Sequence, residues 1–205
     1  MSLPNAYATA SSTALPLHVL THAQFAGWRA QQSPALQGWL DAQGFVAAPG
    51  TLALLPGTEG IAGAVIGIGD PQDVYACAHA PHGLPVGDWQ LATPLDQAAR
   101  TTLQLGWGLG SYRFDRYKKP ARQPARLVLE NGDAEAHDLL AACVRVRDLV
   151  NTPTEHMGPQ ELEDAAREIA NTHGAQVEVI SGDELLAQNF PAIHAVGRAS
   201  HRAPR

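Results

Sequence analysis

The chain has 205 residues, enough for one large domain or for one domain and part of another. Apolar residues make up 45% of it and charged residues 17%, so a real core can be buried, which argues against global disorder. The net charge of -6 provides no general basic field for a phosphate backbone, which argues against nucleic acid as the default partner.

The cysteines and the apolar runs favour a cytoplasmic protein with no membrane partner. Cys77 and Cys143 lie far apart and need no disulfide framework, so we expect buried free thiols in a reducing compartment. No stretch approaches the ~20 apolar residues of a membrane span. Residues 1–21 lack the basic region that precedes the apolar run of a signal peptide.

The first part of the chain predicts two short helices and then a cluster of strands. Residues 1–14 are small and polar, and we expect them to be partly disordered. A short strand is predicted over 17–20. Apolar residues at near-helical spacing around Ser33 and Pro34 then indicate two helices, with Pro34 opening the second. Further strands are predicted over 51–55, 62–69 and 74–78, the middle one covered on both faces.

The second part predicts longer helices separated by short strands. Thr93 and Pro94 open a helix that runs to Leu105 and is ended by the glycines at 106, 108 and 110. A strand over 126–130 and a turn over 131–133 precede the longest helical pattern, residues 134–150. Pro159 opens a further helix that Gly174 ends, followed by a strand over 176–180, a short helix over 182–186 and a strand starting at 195–197. The alternation predicts an α/β layered fold, with an incomplete second unit at the end.

Residues with catalytic or metal-binding potential form no complete motif. His79 and His82 are three apart, but Pro81 between them predicts a loop, so packing or surface roles are favoured over a metal site. The sequence contains no His-Glu-x-x-His, Walker or Gly-x-Ser-x-Gly motif. Cys143 lies on the predicted apolar face of a helix, which favours a buried, inert thiol.

A basic segment follows the glycine run. Asp115 is the only acid among its six cations, which are Arg113, Arg116, Lys118, Lys119, Arg122 and Arg126. A solvated loop is the favoured interpretation. The alternative is an anion-binding or subunit-contact patch, with Arg113, Arg116, Lys118 and Lys119 as the candidate residues.

Three segments together resemble the leucine aminopeptidase, or cytosol aminopeptidase, family. Residues 109–118 read LGSYRFDRYK and are similar to the family's GSYRFxxYK stretch. Asn151 and Pro153, followed by Pro159, match the signature that joins a long helix to the catalytic domain. Residues 190–200, FPAIHAVGRAS, with Pro204 and Arg205 resemble the first strands of that domain. Glu155 departs from the family, which usually has Asn there.

The resemblance implies a two-domain subunit. Its N-terminal domain, residues 1–150 here, would be a mixed β-sheet flanked by helices, similar to macro domains. Residues 151–205 would be a linker and the start of a metallopeptidase catalytic domain. The family's catalytic domain uses two divalent metals, manganese, zinc or magnesium, to activate a water that attacks the peptide bond beside a free N-terminus. Family members assemble as hexamers.

The family's metal ligands come from GKG…FDTGG and NTDAEGR segments, and neither occurs in these residues. We therefore assign no catalytic or metal residue and no cofactor to this chain. It is expected to be the N-terminal portion of a leucyl aminopeptidase, inactive alone, with the rest of its catalytic domain as partner and peptides as the parent's substrates. The alternative is a naturally short, non-catalytic α/β binding or assembly module.

Overall fold

A computed structural model describes residues 3–205, which divide into two compact units, one ending at Arg145 and the other spanning Val146–Arg205. The strands are β1 (Tyr7–Ala8), β2 (Leu15–Thr21), β3 (Leu52–Gly57), β4 (Gly60–Ile68), β5 (Asp88–Leu91) and β6 (Arg126–Val128). The helices are α1 (His22–Ala30), α2 (Pro34–Ala42), α3 (Ala80–Gly83), α4 (Gln97–Ser111), α5 (Ala134–Asn151), α6 (Pro159–His173), α7 (Glu184–Ala187) and α8 (Pro191–Gly197). A 3₁₀ turn occupies Thr154–His156. The predicted domain boundary after residue 150 stays a prediction.

The first unit is built on one mixed sheet, which confirms the predicted fold class. The strand order is β1-β6-β5-β2-β4-β3, and only the β3–β4 pair is antiparallel. Strand β4 is apolar on both faces, as predicted, because both faces are covered. Its Ile66 joins a core with Trp89 and Trp107, whereas the adjacent Val65 joins a second core with Leu40. No helix in the described part of the chain is long and apolar enough to cross a membrane.

Local signals place the first two helices where the sequence predicts them. The Thr21 side chain caps α1 and, with Gln24, completes a capping box. Ser33 caps α2, and Pro34 occupies its first turn, where a missing N–H costs nothing. The Phe25 and Phe45 rings meet edge to face at 5.4 Å beneath these helices.

Helix α2 also covers the outer edge of the sheet. The indole Nε1 of Trp39 donates a hydrogen bond of 3.0 Å to the carbonyl oxygen of Leu54 on the edge strand β3. Two residues further along β3 is Pro56, which has no N–H to offer a new strand. The edge strand therefore presents few main-chain groups for pairing.

The strand predicted over 74–78 is wrong, and residues 71–79 form successive turns. The Asp70 and Asp73 carboxylates accept from the main-chain N–H groups of Gln72 (2.8 Å) and Tyr75 (2.9 Å). Such local bonds compete with strand pairing for the main chain. The loop predicted over residues 80–85 is wrong over Ala80–Gly83, which forms the short helix α3.

The glycines at 106, 108 and 110 do not end the fourth helix, which begins after the Asp96 cap and continues to Ser111. They are a packing surface instead. A Cβ atom at Gly106 would collide with the carbonyl oxygen of Val74, and one at Gly110 would collide with that of Ala78. The glycines thus allow the turn segment to lie directly against the helix.

Two elements of the first unit were not predicted, and the prediction for Cys143 is wrong. Tyr7 and Ala8 form β1 and pair with β6, while partial disorder over residues 1–14 stays a prediction; residues 1–2 lie outside the described residues. Strand β5 is the other element that was not predicted. Cys143 is exposed, because the buried face of α5 consists of Ala136, Leu140 and Val144. Cys77 is buried and free, as expected.

The second unit contains helices only, among the residues that the structure describes. Residues 176–180 alternate in burial but form no ladder, so the strand prediction there is wrong. The strand predicted from residue 195 is also wrong, since Pro191 opens helix α8, which includes it. Short apolar runs do not distinguish strand from helix by periodicity alone.

We predict that Gly106→Ala destabilises the protein by about 1–3 kcal/mol, because the new methyl group meets a main-chain oxygen that cannot move away cheaply. Gly38→Ala in helix α2 is the matched control, since nothing lies within 4 Å of its Cβ position. That control gains about 0.5–1 kcal/mol from helix propensity. Urea denaturation measures both changes, and equal stability of the two variants would contradict the packing role.

Candidate functional site

In open α/β sheets, ligands bind in the crevice outside the carboxyl ends of parallel strands, where the strand order reverses. Here that point is β2, which has β4 on one side and β5 on the other. The crevice is filled, and only about 10 Å³ remains between residues that include Asp73 and Cys77. Burial raises the pKa of the Cys77 thiol to about 12, so it stays protonated and unreactive at neutral pH.

A larger opening, the β5–β6 cleft, lies further along the same edge. It has a volume of about 340 Å³ and is lined by the ends of β5 and β6, the first half of α4 and the connection from β6 to α5. The Arg126 guanidinium pairs with the Asp88 carboxylate at 2.7 Å at the opposite end of this strand pair. This contact lowers the pKa of Asp88 and keeps the ion pair intact near neutral pH.

A buried glutamine fixes the back of this cleft. The Gln104 amide donates to the carbonyl oxygen of Asp133 and accepts from its N–H, both at 2.8 Å. The Tyr7 hydroxyl donates to the main-chain carbonyl oxygen of Gln104 at 2.6 Å, and burial raises the pKa of that hydroxyl. The hydrogen bond from the Ala136 N–H is the main cause that lowers the pKa of the Asp133 carboxyl. Strand β1, helix α4 and the start of α5 are thereby tied together.

The paired histidines do not form a metal centre with other side chains. The His82 Nε2 lies 3.3 Å from the carbonyl oxygen of Ser111. Burial, then the charges of Arg113 and Arg122, lower the pKa of His82, so it is neutral at pH 7. Burial likewise lowers the pKa of His79. Within residues 3–205, no three histidine, cysteine, aspartate or glutamate side chains lie close enough to hold a metal together.

The structure divides the basic segment into two groups. Arg122 is used internally, because its guanidinium donates to the carbonyl oxygens of His82 and Leu84, and Arg126 pairs with Asp88. The four candidate contact residues, Arg113, Arg116, Lys118 and Lys119, are exposed on the loop between α4 and β6. The Arg116 guanidinium lies 5.6 Å from the centre of the Tyr117 ring. Their role as an anion or subunit contact stays a prediction.

The signature residues of the second unit define one joint between α5 and α6. Asn151 is the last residue of α5, Pro153 precedes the 3₁₀ turn, and Pro159 is the first residue of α6. Between the first two, the buried Thr152 hydroxyl donates to the Asp148 carbonyl oxygen at 2.6 Å. These proline and capping positions set the path of the chain. Their family role stays a prediction.

Two arginines that sequence reasoning left without a role hold this joint. Arg202 donates to the carbonyl oxygens of Thr154 (2.7 Å) and Glu155 (2.6 Å). Arg205 pairs with the Glu163 carboxylate at 3.0 Å. Because Arg202 contacts the main chain of Glu155, the departure from the family's usual Asn at that position leaves this contact unchanged.

Comparison with known proteins gives two matching family models that together cover most of the chain. Residues 15–130 match the model described as M17 aminopeptidase, N-terminal domain. Residues 144–205 match the model described as cytosol aminopeptidase family, catalytic domain.

Curated relatives agree with these models. The chain is 28% identical over 194 residues to a probable cytosol aminopeptidase of Corynebacterium efficiens, covering 85% of this chain and 38% of the relative. It is 34% identical over 153 residues to a protein of the same description from Rhodococcus opacus, covering 66% of this chain and 30% of the relative. The chain therefore spans well under half the length of these relatives.

Solved structures support the fold. The crystal structure of a cytosol aminopeptidase from Coxiella burnetii matches with a TM-score of 0.83 at 32% identity, covering 95% of this chain and 43% of that one. The bottromycin maturation enzyme BotP, also solved in complex with Mn, matches with a TM-score of 0.68 at 23% identity and covers 93% of this chain and 44% of that one. At that identity, the second match supports the fold alone.

We predict that Glu161→Ala weakens the second unit in a pH-dependent way. The Glu161 carboxylate accepts from the Gly158 N–H at 2.8 Å, and main-chain N–H groups, first its own and then that of Gly158, lower its pKa. A lowered pKa in the folded state gives stability that is present above the unfolded pKa, about 4.3, and is lost as the pH falls through the folded value.

Calorimetric melting of the two proteins from pH 7 down to pH 3 is the measurement. The wild type melts higher than the variant at neutral pH, and the difference shrinks as the solution is acidified. Glu178→Ala, which removes an exposed carboxylate outside any helix, is the control and changes stability little. A difference that is constant with pH would show that Glu161 does not act through its charge.

Proposed function

The chain belongs to the M17 aminopeptidase family, and we propose that it is the N-terminal portion of a metal-dependent aminopeptidase that releases N-terminal amino acids from peptides. The observation that carries this proposal is the order of the two matches. The match to the family's N-terminal domain over 15–130 precedes the match to its catalytic domain over 144–205. The order of these two matches supports the proposal that the chain forms the N-terminal part of such a subunit.

The chemistry of such an enzyme depends on a bound pair of divalent metals, which supply an activated water and polarise the peptide carbonyl. The residues described here do not fit such a centre, since no three ligating side chains come together among residues 3–205. The two lysines, Lys118 and Lys119, are exposed on the basic loop. We propose that the metal ligands, manganese, zinc or magnesium in the parent enzyme, are contributed outside these 205 residues, and that the chain is inactive alone.

The chain's own contribution is then structural. It would support the catalytic domain through the joint at Asn151, Pro153 and Pro159. Arg202 contacts the main chain of this joint, and Arg205 pairs with Glu163 on the helix that follows it. The remainder of the catalytic domain would pack on the second unit. Side chains with large exposed apolar area support this, and they are Leu162, Ile169, Leu186, Phe190, Ile193 and Val196. A cytosolic location is proposed from the names of the relatives.

A non-catalytic binding or assembly module is the second candidate. The observation in its favour is the open β5–β6 cleft of about 340 Å³, which lies in the first unit and needs no catalytic domain to exist. The two candidates differ in what the gene encodes after Arg205. A stop codon there would support the module, and a continuing frame with lysine and carboxylate ligands would support the enzyme.

We predict that the 205-residue chain does not hydrolyse leucine 4-nitroanilide with manganese, zinc or magnesium, whereas the protein encoded by the continuing gene does. Chelation by EDTA abolishes the activity of the longer protein, and added manganese restores it, because the metals supply the activated water. Metal-dependent turnover by the pure 205-residue chain would disprove the claim that it is inactive alone. A longer protein with no activity on any peptide would contradict the proposed function.

A second prediction concerns the basic loop, which we propose as a subunit contact in a hexameric parent. Replacing Arg113, Arg116, Lys118 and Lys119 together by Gln lowers the mass of the longer protein in light scattering from hexamer to smaller species, since four exposed cations are removed from the contact. Arg29→Gln, with the basic loop unchanged, is the control. Arg29 pairs with Asp41 elsewhere in the first unit. An unchanged hexamer would rule out the loop as a contact that the assembly requires.

A further inference from the structure

The β5–β6 cleft exists because the sheet splits at its carboxyl edge. Strands β5 and β6 pair at Asp88–Arg126 and Trp89–Leu127, and no further pair follows. Beyond Trp89, β5 stays with β2 as far as Leu91, while β6 stays with β1 as far as Val128. The two strands separate, and the main chains of Gln90, Leu91 and Val128 border the opening without pairing to each other.

Charges of both signs line the cleft. The Arg100 guanidinium is anchored through its Nε, which donates to the Leu95 carbonyl oxygen at 3.0 Å. No residue in the described chain accepts from its two terminal nitrogens. The carboxylates of Glu130 and Asp133 belong to the connection from β6 to α5. Since Asp133 already caps α5 and accepts from Thr101 at 3.1 Å, Glu130 is the carboxylate available to a ligand.

Between these charges the surface is mixed. Leu91, Leu103 and Leu127 form its apolar part, and Gln90, Gln97 and Asn131 supply side-chain amides. A polyphosphate would meet the carboxylates of Glu130 and Asp133, which repel it. A purely apolar ligand would leave the guanidinium and the amides unpaired, at a cost in free energy. The lining suits a small molecule with one anionic end, one cationic end and an apolar side chain.

We propose that the β5–β6 cleft binds a free amino acid or a dipeptide as its zwitterion, with the ligand carboxylate on Arg100 and the ligand ammonium on Glu130. The apolar side chain of the ligand lies on the leucine surface. The unpaired strand edges at Leu91 and Val128 offer main-chain hydrogen bonds to a peptide group. A free amino acid and a dipeptide share this chemistry, and titration of each distinguishes them.

Binding in the cleft requires only the residues that line it. A regulatory role for this binding rests on the proposed function, because an aminopeptidase releases free amino acids. The cleft lies in the first unit and outside the residues that match the catalytic domain, so its occupant would report product concentration without competing for the peptide site.

The test is calorimetric titration of the 205-residue chain with L-leucine and leucyl-glycine, alongside L-leucinamide and N-acetyl-L-leucine. The two derivatives lack the ligand's carboxylate and ammonium charge, respectively. Saturable binding of leucine or the dipeptide, with both derivatives weaker by about tenfold or more, is the expected result, since each loses one charge-assisted hydrogen bond. Binding of either derivative as tightly as leucine overturns the proposal.

Variants locate the site. Arg100→Gln and Glu130→Gln each weaken leucine binding by about tenfold or more, because each removes one of the paired charges. Arg29→Gln and Glu59→Gln remove charges elsewhere in the first unit and leave binding unchanged. No saturable binding up to about 10 mM, or equal binding by the cleft and control variants, overturns the proposal. Hydrolysis is not measured in this titration, so the outcome is independent of whether the longer protein is a peptidase.

Discussion

The close approach of helix α4 to the turns before α3 is the constraint on which the first unit depends. The helix lies against main-chain oxygens at Gly106 and Gly110, where any side chain would collide. This contact brings the turns over the end of β2 and closes the usual ligand crevice of an α/β sheet. It also fixes the direction of α4, so that Trp107 enters the core and Gln104 reaches Asp133.

The same contact explains where sequence-based prediction succeeds and fails. The strands at β2 and β4 and the first two helices follow from local periodicity and caps, and their prediction is confirmed. Sequence patterns predict a strand where the turns over 71–79 lie, and they predict that the glycines end α4. Both predictions fail for the same reason: the turns and the glycine surface of the helix form only in contact with each other. A glycine run ends a helix unless another segment packs on it, and periodicity does not show that segment. The tertiary contact therefore overrides the local signal.

The candidate sites divide in a similar way. Pro153 and Pro159 can be recognised in the sequence because proline restricts its own backbone. Arg202 and Gln104 cannot be recognised in this way, because their partners are the main-chain groups of Thr154 and Asp133. Every residue has a main-chain carbonyl group, so a side chain that binds one leaves no recognisable pair of residue types in the sequence. The β5–β6 cleft escapes prediction as well, since it arises where two strand pairings diverge.

The covered edge of the sheet limits how copies of this protein can associate. Pro56 lacks a donor and the Trp39 indole binds the Leu54 oxygen, so a strand from a second copy would pair poorly with β3 in regular register. A continuous intersubunit β-sheet through this edge is thereby disfavoured, and so is fibrous growth by edge pairing there. An assembly that includes this side of the first unit would then use side-chain contacts on helices and loops, and contacts of that kind can close into a symmetric ring.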